Sequence, residues 1–253
     1  MNKIQDFFRK LESRFIFKPR TPNKALRAFE QGLLPIESFI YKACSITPLE
    51  TEPVDIEEVE RILGHEDNDL ATNQMLVRIL ERLLKSKDKE IALFAAESLN
   101  VIENRYNQII EENKDLLKKR ERDPHIYRNL GNLYFELALL NKRRVTIRNF
   151  YLKEAFNYFR ELSKYRNYFS MDDLEKSVYI LLELGLTQQA LSFLQNAPDH
   201  VKEDPLRVRI LEAQIHFAGK DFLEVLRILS AISTAENSQY NEYTELLSYW
   251  QGR

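Results

Sequence analysis

The side chains most often used in metal binding and catalysis are few and scattered in this sequence. Its four histidines are His65, His125, His200 and His216, and its one cysteine is Cys44. Zinc ligands usually come in pairs such as H-x3-H or C-x2-C, and neither spacing occurs. Glycine-rich phosphate loops and the G-x-S-x-G nucleophile turn are also missing from the sequence. The sequence therefore predicts no metal site, no cofactor and no enzyme active site.

Composition favours a helical protein of a reducing compartment. The 253 residues include only six glycines and eight prolines, and 44% are hydrophobic, which argues against global disorder. A single cysteine cannot form an internal disulfide. The first residues, MNKIQDFFRKLESRF, lack the apolar core of a signal peptide, and no run approaches the roughly 18 apolar residues of a membrane span. We expect a cytoplasmic location.

Charge is distributed unevenly although the net charge is only −2. Residues 1–28 hold eight basic and two acidic side chains, whereas residues 50–69 hold nine acidic side chains and one arginine. Within residues 2–16, apolar side chains recur at helical spacing opposite a basic face. Two interpretations remain open: this helix docks on protein, or it makes the chain a peripheral membrane adaptor anchored through residues 1–28. Nucleic-acid binding is disfavoured because the remainder of the chain is acidic.

The sequence divides into four predicted segments. Residues 1–45 form a basic, helical N-terminal segment, in which Pro35 predicts a helix that continues to Cys44. Residues 46–69 are an acidic linker followed by a short helix that begins after Asp55 and ends at Gly64. Residues 70–122 form a helical hairpin of the HEAT type, with a turn at residues 86–88. Residues 123–253 complete the chain.

The last segment begins with a recognisable repeat motif. Tyr127, Leu130, Gly131 and Tyr134 follow the W-x2-L-G-x2-Y spacing, with tyrosine in place of tryptophan, and Ala155 and Phe159 form an A-x3-F pair. Residues 123–160 therefore resemble a tetratricopeptide (TPR) repeat. The connection between the two halves is about 12 residues longer than the motif requires. This basic insert, residues 141–153, contains five cations and no acid, and predicts either a projecting loop or a helix extension.

Two weaker repeats follow the first. In the first of these two, the residues that keep the TPR spacing are Leu174, Leu181, Gly185, Ala190 and Leu194. In the second, with one residue of slack, they are Ala213, Gly219, Phe222, Val225 and Leu229. A final amphipathic helix, with Tyr240, Leu247 and Trp250, is expected to cap the stack. The predicted fold is all-α: an α-solenoid of TPR-like helical hairpins with an N-terminal helical region.

TPR proteins bind partners along the first helices of their hairpins, and mapping those positions predicts partner-binding residues. To these we add three arginines of the basic insert, because a surface protrusion of one charge sign is suited to partner binding. The predicted partner-binding residues are Arg128, Asn132, Phe135, Arg143, Arg144, Arg148, Glu175, Tyr179, Arg207 and Gln214.

A narrower resemblance covers residues 87–165, about a third of the chain. The charged segment KDKEIALFAAESLNVIENRYNQII followed by LGNLYFELALLNKRRVTIRNFYLKEAFNYF is similar to the cytoplasmic region of the E component of bacterial Pel exopolysaccharide machinery. The resemblance implies a non-catalytic scaffold at the inner face of the membrane, with a glycosyltransferase and a cyclic-di-GMP receptor as protein partners. That family usually begins with transmembrane helices, which this sequence replaces with its basic amphipathic segment.

Overall fold

A computed structural model describes residues 41–42, 45–48, 54–65, 68–120 and 122–232. The predicted N-terminal amphipathic helix and the predicted C-terminal capping helix lie outside these residues. The described part contains nine α-helices: α1 (Ile56–Leu63), α2 (Leu70–Leu83), α3 (Lys89–Lys119), α4 (Pro124–Leu140), α5 (Val145–Ser163), α6 (Met171–Glu183), α7 (Thr187–Gln195), α8 (Pro205–Ala218) and α9 (Phe222–Ser230). Short 3-10 helices at Arg166–Tyr168 and Asp199–Glu203 precede α6 and α8.

One short β-hairpin precedes the helices and corrects a prediction. Strand β1 (Tyr41–Lys42) pairs antiparallel with β2 (Ser45–Pro48), so the helix predicted to run from Pro35 to Cys44 is wrong at its end. Tyrosine and the β-branched Ile46 and Thr47 favour extended backbone. Proline indicates only where a helix can begin, whereas these residues favour a strand.

The chain divides into two compact units, Met1–Ile102 and Glu103–Arg253. In the first unit, α1 begins after Asp55, whose side chain accepts a hydrogen bond from the Glu58 N–H, and is capped at Gly64, as predicted. The predicted turn at residues 86–88 is also confirmed, because Asp88 caps α3 by accepting from the Glu90 N–H. The apolar side of α2 is buried through Met75, Leu76, Ile79 and Leu80.

In the second unit, each helix from α4 to α9 packs against the next one in the sequence. The helices form three hairpins, α4–α5, α6–α7 and α8–α9, and the first helices α6 and α8 also contact each other. Successive first helices begin at Pro124, Met171 and Pro205, which are 47 and then 34 residues apart. Packing between sequence neighbours places α4, α6 and α8 in series.

The closest approach within the first hairpin is at Gly131. A Cβ atom built on this glycine would lie 3.1 Å from two ring carbons of Phe159, so no larger side chain fits without displacing that ring. Phe159 and Ala155 are fully buried, as is Leu130 beside the glycine. The motif residues therefore form the contact between α4 and α5, because a small residue on each helix lets the two backbones approach.

The basic insert is a helix extension and not a projecting loop. Helix α4 continues to Leu140, four residues make the turn, and α5 begins at Val145. Asn141 ends α4: its backbone N–H and its side-chain amide both donate to the Leu137 carbonyl, at 3.1 and 2.9 Å. The additional residues lengthen both helices, so most of the insert belongs to the first turns of α5.

Candidate functional site

The predicted partner-binding residues lie mainly on the three first helices. On α4 the spacing of Arg128, Asn132 and Phe135 places them along one stripe, and α6 and α8 contribute Glu175, Tyr179, Arg207 and Gln214. We call this stripe the first-helix face. The structure brings six of these seven residues into direct contact with a neighbouring first helix, and Gln214 is exposed on α8.

Arg128 joins α4 to α6 through an ion pair. Its Nε donates to Asp173 Oδ1 at 3.1 Å and its Nη2 donates to Asp173 Oδ2 at 2.8 Å. Asp173 is only 2% exposed, whereas the Arg128 side chain is 29% exposed. The same carboxylate accepts from the N–H and the hydroxyl of Ser170, at 2.9 and 2.7 Å, and thus completes the capping box of α6. Arg128 also donates to the Tyr168 carbonyl. Arg128 is therefore committed to holding α6 in place.

Further along the same two helices, a polar contact is followed by an aromatic one. Lys176 Nζ donates to Asn132 Oδ1 at 2.7 Å. One turn later the rings of Phe135 and Tyr179 meet edge to face, with centroids 5.7 Å apart and planes at 89°. Tyr179 is 39% exposed and Phe135 is partly exposed, so this aromatic pair presents apolar surface to solvent. Burial, and then the charge of Glu183, raise the pKa of the Tyr179 phenol.

Helices α6 and α8 are joined by a second arginine. The Nε and Nη2 atoms of Arg207 donate to the two carboxylate oxygens of Glu175, at 2.8 and 2.7 Å, and Nη2 also reaches Asp172 at 2.8 Å. The hydrogen bonds that Arg207 donates to Glu175 are the largest cause that raises the pKa of Arg207. A two-pronged arginine–carboxylate contact fixes orientation as well as distance. Arg207 and Glu175 therefore set the spacing of these two helices.

The three arginines of the basic insert have different surroundings. Arg148 forms an ion pair with Glu183 at the end of α6, and its side chain is only 18% exposed. Arg143 and Arg144 lie in the exposed turn between α4 and α5. Near this turn, Val145 and Phe150 are 61% and 56% exposed. Arg148 therefore joins α5 to α6, whereas the turn that carries Arg143 and Arg144 is a basic and partly apolar part of the surface.

Sequence reasoning missed the acidic and basic partners of these residues, which are Asp172, Asp173, Lys176 and Glu183. A signal for one of them was present: Ser170 followed three residues later by Asp173 is the pattern of a capping box. The others could not be found, because each contact joins residues 32 to 45 positions apart and depends on how the helices align.

The described residues contain no group of three or more histidine, cysteine, aspartate or glutamate side chains arranged to hold a metal ion. In the same part of the chain, every helix is too short or too polar to cross a membrane. The polar contacts of the first-helix face are ion pairs and hydrogen bonds that join neighbouring helices. Its exposed aromatic surface is the pair Phe135–Tyr179.

Comparisons with known proteins found no match: no protein-family model, no curated protein and no solved structure is significantly similar to this chain.

Proposed function

We propose that this chain is a non-catalytic protein-interaction scaffold of the TPR type, which binds its partners along the first-helix face. The observation that carries the proposal is the continuity of that face. Residues of α4, α6 and α8 are joined in series by Arg128–Asp173, Phe135–Tyr179 and Arg207–Glu175, so the three helices form one connected surface.

The hairpin arrangement supports the TPR assignment. Repeat proteins pack each unit on its sequence neighbours, and their stacking creates an extended binding surface along one set of helices. Two of the three hairpins here begin 34 residues apart, which is the TPR period, and the lengthened α4 and α5 account for the larger first spacing.

The aromatic pair Phe135–Tyr179 is the proposed anchor for a partner. Tyrosine and other aromatic side chains contribute disproportionately to protein interfaces, since they bury large area and lose little conformational entropy. The ion pairs on either side are already satisfied within the chain, so they position the aromatic pair and leave it preformed. A preformed anchor reduces the entropy that binding must overcome.

The class of partner follows from the resemblance of residues 87–165 to the Pel E component. On that basis we propose that the scaffold assembles cytoplasmic components of an exopolysaccharide synthesis and secretion complex. The proposed partners are a glycosyltransferase and a cyclic-di-GMP receptor.

Binding measurements with matched aromatic variants test the proposal. The test variant is Phe135→Ala/Tyr179→Ala. The control is Phe217→Ala/Phe222→Ala, which removes another edge-to-face pair with the same centroid separation of 5.7 Å, at the α8–α9 turn. Both control rings are exposed, at 53% and 50%. The ligands are the cytoplasmic domains of a candidate glycosyltransferase and a candidate cyclic-di-GMP receptor from the same organism, and affinity is measured by biolayer interferometry.

The test variant is expected to lose about tenfold or more in affinity, because removing a central aromatic anchor typically costs about 2 kcal/mol. The control is expected to bind like the wild type. Equal affinity of both variants for a partner would exclude the aromatic pair as the anchor, and the absence of binding by the wild-type chain would reject these partners.

A further inference from the structure

An open cleft of about 500 Å³ lies where the end of α3 meets the start of α4. It is lined by Lys114, Leu117, Lys118, Arg122 and Tyr127. Small-molecule sites commonly occupy roughly 300 to 1,000 Å³, so the cleft has the size of a ligand site. It is separate from the aromatic pair of the first-helix face, and the proposed scaffold function does not use it.

Three of the five lining residues are cations. Lys114 donates to Glu111 at 2.8 Å, and Lys118 donates to Asp115 at 2.8 Å; both are pairs within a single helix. The two carboxylates are 65% and 62% exposed. Lys118 is 74% exposed, and such an exposed pair contributes little stability and rearranges readily, so its ammonium group is available to an incoming anion. Lys114 is 32% exposed, and its ammonium also lies over the Tyr134 ring, 5.8 Å from the centroid, which holds a positive charge at the edge of the cleft.

Arg122 supplies the third cation from an unusual backbone conformation. Its φ is +73°, in the left-handed region that residues with a side chain seldom adopt. The residue is exposed at the surface. The turn between α3 and α4 therefore holds an arginine at the cleft where glycine would be the less strained residue.

The remaining lining is apolar and aromatic. The Tyr127 ring is stacked on Tyr165, with centroids 5.9 Å apart and planes at 28°. Its remaining surface lines the cleft beside the aliphatic side chain of Leu117. Aromatic side chains that stack on one another provide a platform for a further planar ring, and cations beside such a platform suit an attached phosphate.

We propose that this cleft binds a nucleotide, with the phosphates held by Lys114, Lys118 and Arg122 and the base placed against Tyr127 and Leu117. The guanidinium of Arg122 can donate two parallel hydrogen bonds to phosphate oxygens, and the lysines supply compact positive charge. A ligand with only a phosphate group would contact only the cations of the cleft, and a ligand with only an aromatic ring would contact only Tyr127 and Leu117.

Calorimetric titration of the full chain with ADP, adenosine and pyrophosphate tests this assignment. ADP is expected to bind at micromolar to submillimolar concentration, and more tightly than either fragment. No heat of binding with ADP at millimolar concentration would overturn the proposal. Pyrophosphate binding as tightly as ADP would overturn the base platform and with it the nucleotide assignment.

Two variants separate binding from folding. Arg122→Gly removes the cation while giving the turn its preferred residue, so its melting temperature is expected to equal or exceed that of the wild type. Its affinity for ADP is expected to fall about tenfold, as for the loss of one charged hydrogen-bonding group. Lys118→Ala should weaken binding by a similar factor.

The control is Arg227→Ala, which removes an arginine that pairs with Glu224 at the same three-residue spacing and is 69% exposed, close to the 74% of Lys118. It is expected to bind ADP like the wild type. Unchanged ADP affinity in Arg122→Gly, or an equal loss in Arg227→Ala, would contradict a specific site at this cleft.

Discussion

Breaking the ion pair between Arg128 and Asp173 should destabilise the second unit and loosen the start of α6. The substitution Arg128→Met keeps most of the aliphatic side chain and removes only the charged group. Asp173 would then remain buried at 2% exposure with its negative charge uncompensated. It would keep two hydrogen bonds from Ser170, which limits the damage.

The magnitude follows from the burial of the two groups. Removing one partner of a fully buried pair costs about 3 to 5 kcal/mol, and a hydrogen bond to a charged group contributes about 1.5 to 3 kcal/mol. Since the Arg128 side chain is 29% exposed and Asp173 keeps two donors, we expect a smaller loss than for a fully buried pair. We expect about 2 to 3 kcal/mol for Arg128→Met, which corresponds to a fall of about 4 to 12 °C in melting temperature.

A double-mutant cycle measures the interaction itself. Asp173→Asn removes the charge that Arg128 balances, so the double variant should lose less than the sum of the single losses. We expect a coupling energy of about 1.5 kcal/mol from urea unfolding followed by circular dichroism. Hydrogen exchange should also rise in peptides covering residues 168–176, where Arg128 and Asp173 hold the helix start.

The exposed pair Arg227–Glu224 provides the matched control, because both cycles remove an arginine–carboxylate contact. Its coupling should lie within the error of the measurement, since exposed pairs are screened by solvent. Additive single losses at Arg128 and Asp173, or an equal coupling in the control pair, would refute the inference that this ion pair fixes α6 on α4.

Three further predictions concern the hairpin contact, a helix cap and a tyrosine. Gly131→Ala should lower the free energy of unfolding by about 1 kcal/mol, since crowding against the buried Phe159 outweighs the better helix propensity of alanine. Adding Phe159→Leu to Gly131→Ala should restore part of this loss, as measured by urea unfolding. Ser170→Ala should cost about 1 kcal/mol in the same assay, because it removes the capping hydrogen bond of α6; an unchanged midpoint would contradict the cap. Burial and then a hydrogen bond to Glu103 raise the pKa of Tyr151, so its protonated form is favoured in the folded state. Stability from this shift is present below the unfolded pKa of about 10 and is lost as the pH rises through the folded pKa. The free energy of unfolding of Tyr151→Phe should therefore fall less steeply than that of the wild type as the pH rises above about 10. Identical slopes in the variant and the wild type would disprove the assignment.

The helices themselves were largely predictable, because their signals are local. Asp55 and Asp88 cap helices where the sequence predicts them, and apolar side chains of α2 recur at helical spacing. The small residues Gly131 and Ala155 are a local signal of the same kind, since only small residues permit the close approach of α4 and α5.

Contacts between helices were less predictable, because they depend on how distant residues align. Arg128 appeared in the sequence as an exposed partner-binding residue, and its contact with Asp173, 45 positions away, requires the stacking of α6 on α4. The basic insert was ambiguous for a related reason. Its sequence is compatible with a helix or a loop, and the outcome was decided by where Asn141 ends α4. The β-hairpin likewise depends on pairing between two short segments.

Site-specific photo-crosslinking tests the proposal that the first-helix face binds protein partners. A photoreactive phenylalanine analogue is placed at Tyr179, which is 39% exposed on that face, and separately at Phe217, which is 53% exposed at the α8–α9 turn. Crosslinking in cells that make the protein is followed by mass spectrometry of the adducts. We expect a discrete adduct with the glycosyltransferase or the cyclic-di-GMP receptor at position 179 and none at position 217. Adducts of equal yield at both positions, or none with these partners at position 179, would contradict it.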